Sequence, residues 1–155
     1  MKKVIGYINI AIGLFYIFNI YSNIQALFFP DFPFPKEFPK INISTQVLFY
    51  LKWLLLGILA IIAGTKLIKE KKTGWILSCT VWTDLTFWTL YSFVINLKQI
   101  NAFDTPILAI QTIICIYILL VLISDSFKSQ FKIEKKDWQR MFIYTAVLFL
   151  INFIY

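Results

Sequence analysis

Long apolar runs alternate with short charged stretches along this chain. Five runs stand out: Val4–Phe29, Gln46–Ile68, Gly74–Leu97, Pro106–Phe127 and Met141–Tyr155. A helix needs about 20 apolar residues to cross the hydrocarbon of a bilayer, and the first four runs reach that length. The fifth approaches it if Asp137 is the N-cap and the helix runs Trp138–Tyr155, with Trp138 and Arg140 at the interface. An in-plane helix would want a strongly charged polar face, and Phe142–Tyr155 carries no charge. The pattern therefore predicts an all-α, polytopic transmembrane bundle of five spans, or four if the last run does not cross. It forms a single domain, with helices over about 4–29, 46–68, 74–97, 106–127 and 138–155.

The connections orient the spans. Lys2 and Lys3 precede the first; Lys66, Lys69, Lys71 and Lys72 lie between the second and third; Lys128, Lys132, Lys135, Lys136 and Arg140 lie between the fourth and fifth. Eleven of the fifteen cations thus fall on one side, against Lys36, Lys40, Lys52 and Lys98. Short loops rich in Lys and Arg stay in the cytoplasm. The expected N-terminus is cytoplasmic and the expected C-terminus, after five spans, extracytoplasmic, in a bacterial inner membrane. The first run is longer than the core of a signal peptide and has no small-residue cleavage pattern, so it reads as a retained helix.

Composition agrees with lipid as the solvent. Of 155 residues 59% are hydrophobic and 15% charged, where a soluble domain carries about 25% charged residues. The formal charge is +7, but the cations sit at the ends of apolar runs rather than in a stripe on a soluble element, so nucleic acid is not an expected partner. The expected partners are the bilayer and other membrane chains, or further copies of this one.

The longest outer segment, residues 30–45, holds four of the five prolines, interleaved with Phe32, Phe34 and Phe38. Proline favours an extended path, and burial of the phenylalanines predicts a lid folded over the outer end of the bundle. A proline-rich ligand for a partner is the alternative. Asn42-Ile43-Ser44 matches a glycosylation acceptor.

Two helices carry seams. Gly6, Asn9, Gly13, Tyr16 and Asn23 recur at steps of three and four in the first; Trp53, Gly57, Ala60 and Gly64 do so in the second. Helices in lipid associate through small residues and side-chain hydrogen bonds, so Gly6, Asn9, Gly13, Gly57, Ala60 and Gly64 are the expected packing positions.

The third span is the polar one, with Ser78, Thr80, Thr83, Asp84, Thr86, Thr89, Tyr91, Ser92 and Asn96. Polar groups on nearly every face predict a helix in the protein interior. Thr80, Asp84 and Tyr91 share one face by spacing, and Asp84 lies deep in the hydrocarbon zone. An acid there costs at least about 2.5–3.5 kcal/mol, which makes it the main functional candidate. It reads either as a proton or cation site or a charge partner for another chain, or as a neutral acid hydrogen-bonded to Thr80 or to facing amides. Lys52, inside the second run, is expected to snorkel to the outer interface, with a salt bridge to Asp84 as the alternative.

Little else suggests chemistry. The chain has no histidine, and Cys79 and Cys115 are isolated within apolar runs, where they read as small buried side chains. Without a base, no nucleophilic dyad can be assembled. Aspartyl chemistry needs two carboxylates at one site, whereas Asp84 and Asp125 lie at different depths. No catalytic, cofactor-binding or metal residues are expected. The stretch Ala63–Trp75 resembles a turn found in many small bacterial membrane proteins, built from a basic loop, a glycine break and a tryptophan anchor; it identifies no family. Three functions remain: a non-enzymatic accessory or interaction subunit of a membrane complex, or an immunity-type protein; a small oligomeric channel or transporter using Asp84; and a membrane-embedded enzyme acting on lipids.

Overall fold

The structure, a computed structural model, describes residues 1–28, 43–99 and 104–153. The expected Pro/Phe lid and the glycosylation match begin or lie outside these residues. Among the described residues all regular structure is helical: α1 Lys2–Phe28, α2 Ile43–Ile68, α3 Lys72–Gln99, α4 Asp104–Ile123, α5 Asp125–Phe131 and α6 Lys135–Phe153. Three segments among the described residues are long and apolar enough to cross a membrane: Lys2–Ile24 in α1, Tyr50–Ile68 in α2 and Thr105–Ile123 in α4. Their outer faces carry bare apolar side chains, among them Phe15, Phe18, Ile110 and Ile113. α3 is long enough, but Ser, Thr and Asp lower its hydropathy; α6 begins with Lys135, Lys136, Asp137 and Arg140.

α1 and α2 form a close antiparallel pair. A Cβ placed on Gly13 would stand 2.5 Å from the Gly57 carbonyl oxygen, and one on Gly64 would collide with the carbonyl oxygen of Gly6. Ala60, between these contacts, is fully buried. The glycine seams read from spacing meet face to face, because only a missing side chain lets the backbones approach this closely.

α3 is the hub, packing against α2, α4 and α6. Its first half is interior: Trp75, Ile76, Ser78, Cys79, Thr80, Val81, Trp82, Asp84 and Leu85 are all buried. Its outer half emerges, with Phe87, Leu90, Tyr91 and Val94 exposed. The expected interior helix is thus interior along half its length.

The α2–α3 turn corrects the reading of Ala63–Trp75. The chain reverses at Glu70, not at a glycine: Glu70 has φ 56°. Lys71 N–H donates to Lys66 O at 2.9 Å and Glu70 N–H to Leu67 O at 3.0 Å, the double bond of a Schellman cap, whose left-handed position usually belongs to glycine. The Glu70 carboxylate meets Lys2 of α1 at 2.6 Å, so this residue also ties the turn to the N-terminus. Gly74 lies inside α3 and allows it to touch the Lys66–Leu67 backbone, which any Cβ would strike.

Trp75 is likewise no interface anchor. It is fully buried, donates from Nε1 to Leu122 O at 2.7 Å and meets Trp138 edge-on at 5.2 Å. The Leu122 carbonyl belongs to the last turn of α4, where the helix leaves its oxygens without intrahelical partners. The fourth helix also ends earlier than the apolar run. Ser124 Oγ donates back to Val121 O at 2.7 Å, local bonding that competes with continuation, and Asp125–Phe131 becomes a separate helix. The start of α6 differs too: Asp137 is not its N-cap but the third helical residue, accepting the Glu134 N–H at 3.0 Å. That is the returning half of a capping box.

Candidate functional site

Two buried polar groupings occupy the bundle. The inner one joins α1 to α3. Asn9, fully buried, donates from Nδ2 to Ser78 Oγ at 2.8 Å and accepts from Trp82 Nε1 at 2.7 Å. One amide thereby serves as donor and acceptor at once. Spacing makes Asn9 a seam position; it lies at the seam, with its Cβ beside Gly64, but its head group crosses to α3.

The outer grouping surrounds Asp84, which is buried to 2% exposure. Asp84 and Trp88 are one turn apart on α3, and the Lys52 ammonium sits over the Trp88 indole, 4.2 Å from its centroid. Lys52 therefore turns toward α3 instead of snorkelling outward, and its charge rests on an aromatic face, a contact worth about 0.5–2 kcal/mol. Asp84 lies within electrostatic reach of both Lys52 and Tyr16. Tyr16 stacks on Trp53 at 4.8 Å, and both border an outer cleft of about 250 Å³ between α1 and α2, with Asn19, Asn23 and Tyr50. Cys115 of α4 is buried as well.

The other candidates behave differently. Thr80 is buried, but its hydroxyl donates to Ile76 O at 3.0 Å. Thr83, Thr86 and Thr89 repeat this bond to Cys79, Trp82 and Leu85. These four threonines thus satisfy their protons on their own backbone. Tyr91 is 51% exposed and stacks with Phe87 at 6.3 Å; it does not join Thr80 and Asp84, because the helix has left its neighbours' cover at that level. Among the described residues no group of three or more His, Cys, Asp or Glu could hold a metal ion.

Spacing did not single out Ser78, Trp82 and Trp88. Their only signal was membership of a helix crowded with polar and indole groups. Compared with known proteins, the chain matches no family model, no curated protein and no solved structure.

The charged end of the bundle is a network. Lys72 meets Glu134 at 3.1 Å and the buried Asp137 at 3.7 Å, Lys136 meets Glu134 at 2.9 Å, and Lys128 meets Asp125 at 2.7 Å. These are the basic segments that the cation count places together.

Proposed function

We propose that the chain is a non-enzymatic, multi-pass protein of a bacterial inner membrane that serves as an accessory or interaction subunit of a membrane complex, or as an immunity-type protein. It crosses five times, with α1, α2, α3, α4 and α6 as the spans, its N-terminus in the cytoplasm and its C-terminus outside. α3 crosses within the shelter of α2, α4 and α6, and the charged first turns of α6 lie at the cytoplasmic surface. The observation that carries the reading is that the interior polar groups mostly bond within the bundle: Asn9 bonds both Ser78 and Trp82, and four threonines bond their own helix, while among the described residues Trp88 Nε1 and Thr145 Oγ1 are buried without a hydrogen-bond partner. Such an interior holds helices together and offers little to a moving ion.

A channel or transporter is the second reading. It is favoured by one observation, the buried Asp84 within electrostatic reach of Lys52 and of Tyr16, which borders the outer cleft. Asp84→Asn decides between the two, since it keeps size and hydrogen bonding but removes ionisation. For the subunit reading, the purified chain in proteoliposomes carries no proton or cation flux with either residue, and in native membranes it migrates in an assembly larger than itself. Flux in the parent that disappears in Asp84→Asn overturns the subunit reading in favour of transport.

A further inference from the structure

α2 and α6 both pack on α3 and leave a groove between them of about 360 Å³. Its floor is α3, where Ile76 and Thr80 are buried. Its walls are aliphatic: Leu55 and Leu59 on α2, Val147 and Ile151 on α6. Its mouth, at the charged end of the bundle, holds Lys66 of α2 and Arg140 of α6.

The two walls correspond in depth. From Lys66 to Leu55 and from Arg140 to Ile151 the chain covers the same number of residues, about 16 Å of helix on each side. Each wall thus places a cation at one end and an apolar strip of the same length below it. The rim side chains Leu55, Val147 and Arg140 are exposed, so the groove opens sideways, where lipid tails would lie.

Charge complementarity selects the occupant. Among the described residues Lys66 enters no ion pair, and Arg140 has one distant carboxylate neighbour, Asp137 at 4.0 Å, which leaves most of its five N–H donors open to a second anion. Lys72 and Glu134, nearby, are occupied with each other. Two cations over an aliphatic slot match a phosphate head on a long acyl chain, since Arg binds phosphate through paired N–H groups and Lys as a point charge.

We propose that this groove binds one anionic phospholipid from the leaflet bordering the charged end, its phosphate between Lys66 and Arg140 and an acyl chain along Leu59 and Val147. The proposal rests on the membrane-protein reading but not on the subunit role: lipid binding is measured on the isolated chain and stands or falls whether or not a partner exists.

Native mass spectrometry of the detergent-purified chain, offered dioleoyl phosphatidylglycerol and dioleoyl phosphatidylcholine in equal amounts, tests it. One bound phosphatidylglycerol is expected, preferred about 25-fold, at about fivefold for each cation near the headgroup. Lys66→Gln with Arg140→Gln should abolish the preference, while Lys71→Gln with Lys132→Gln, at the same end but outside the groove, should keep it. Leu77→Trp, which fills the slot from α3, should reduce retention of both lipids. Circular dichroism on each variant identifies any that fail to fold, and in that case the parent and the remaining variants decide. No headgroup preference in the parent overturns the proposal, as does equal loss from the two cation pairs, which would mean only general attraction to a basic surface.

Discussion

Asn9 and Trp82, 73 residues apart in the chain, share a 2.7 Å hydrogen bond in the interior, and neither side chain is more than 2% exposed. The same Asn9 side chain holds Ser78. Asn9→Ala therefore leaves two buried polar groups without their partner, at about 1–3 kcal/mol each. The expected outcome is a clear fall in detergent melting temperature. A double-mutant cycle with Trp82→Phe should show coupling of about 1 kcal/mol or more; additive losses would show that the pair does not interact.

The facing glycines are not equivalent. A methyl group on Gly13 would lie 2.5 Å from backbone oxygen and from Ile61 Cγ1, whereas one on Gly57 would lie 3.1 Å from its nearest atom. Gly13→Ala should cost about 1–3 kcal/mol, as overpacking does, and Gly57→Ala distinctly less. Thermal unfolding of the two variants side by side checks the order; equal melting temperatures would mean that the helices sit farther apart.

Glu134 bonds Lys136 and Lys72, in that order of effect, and these hold its carboxyl down to about 2 against an ordinary 4.5. A depressed carboxylate contributes its stability above the unfolded pKa and loses it as pH falls through the folded one. The melting difference between the parent and Glu134→Gln should thus be constant above pH about 5 and shrink between about 4.5 and 2. The group is exposed, so the difference is small. A difference unchanged down to pH about 2 would mean that the pairs do not form.

Topology follows from the cation distribution. Cysteines introduced at Glu70 and Glu37, in an otherwise cysteine-free chain, should react from opposite faces of intact cells, Glu70 from the cytoplasm. A reporter active only outside, fused after Tyr155, should work if α6 crosses. Reaction of both cysteines from one face would overturn the orientation, and a reporter silent outside would overturn the fifth span.

The helices and their glycine faces were legible in the sequence because both are local properties: apolar length makes a span, and small residues at steps of three and four make a seam. Partner choice was not. Spacing put Asn9 on the face that meets α2, but its amide reaches α3, which depends on how the helices cross. Trp75, beside a basic turn, fits the pattern of an interface anchor; only packing against α4 and against Trp138 of α6 turns it into a core residue that satisfies an α4 carbonyl. The end of α4 was hidden for a similar reason, since apolar residues continue past Ser124 while its side chain bonds backward. The depth of Asp84 in its run fits its burial, whereas the place of Lys52 is not legible, because snorkelling considers only distance to water and not an indole within reach.

The Asn9 bonds also bear on how the chain is made. α1 is made before α2 and can pair with it through glycine contacts alone, yet the partners of Asn9 belong to α3, 69 and 73 residues further along the chain. Until then its amide must keep water or some other polar group, because hydrocarbon offers none. In the proposed five-span arrangement, that need would be met if α1 stayed in polar surroundings until α3 joined it.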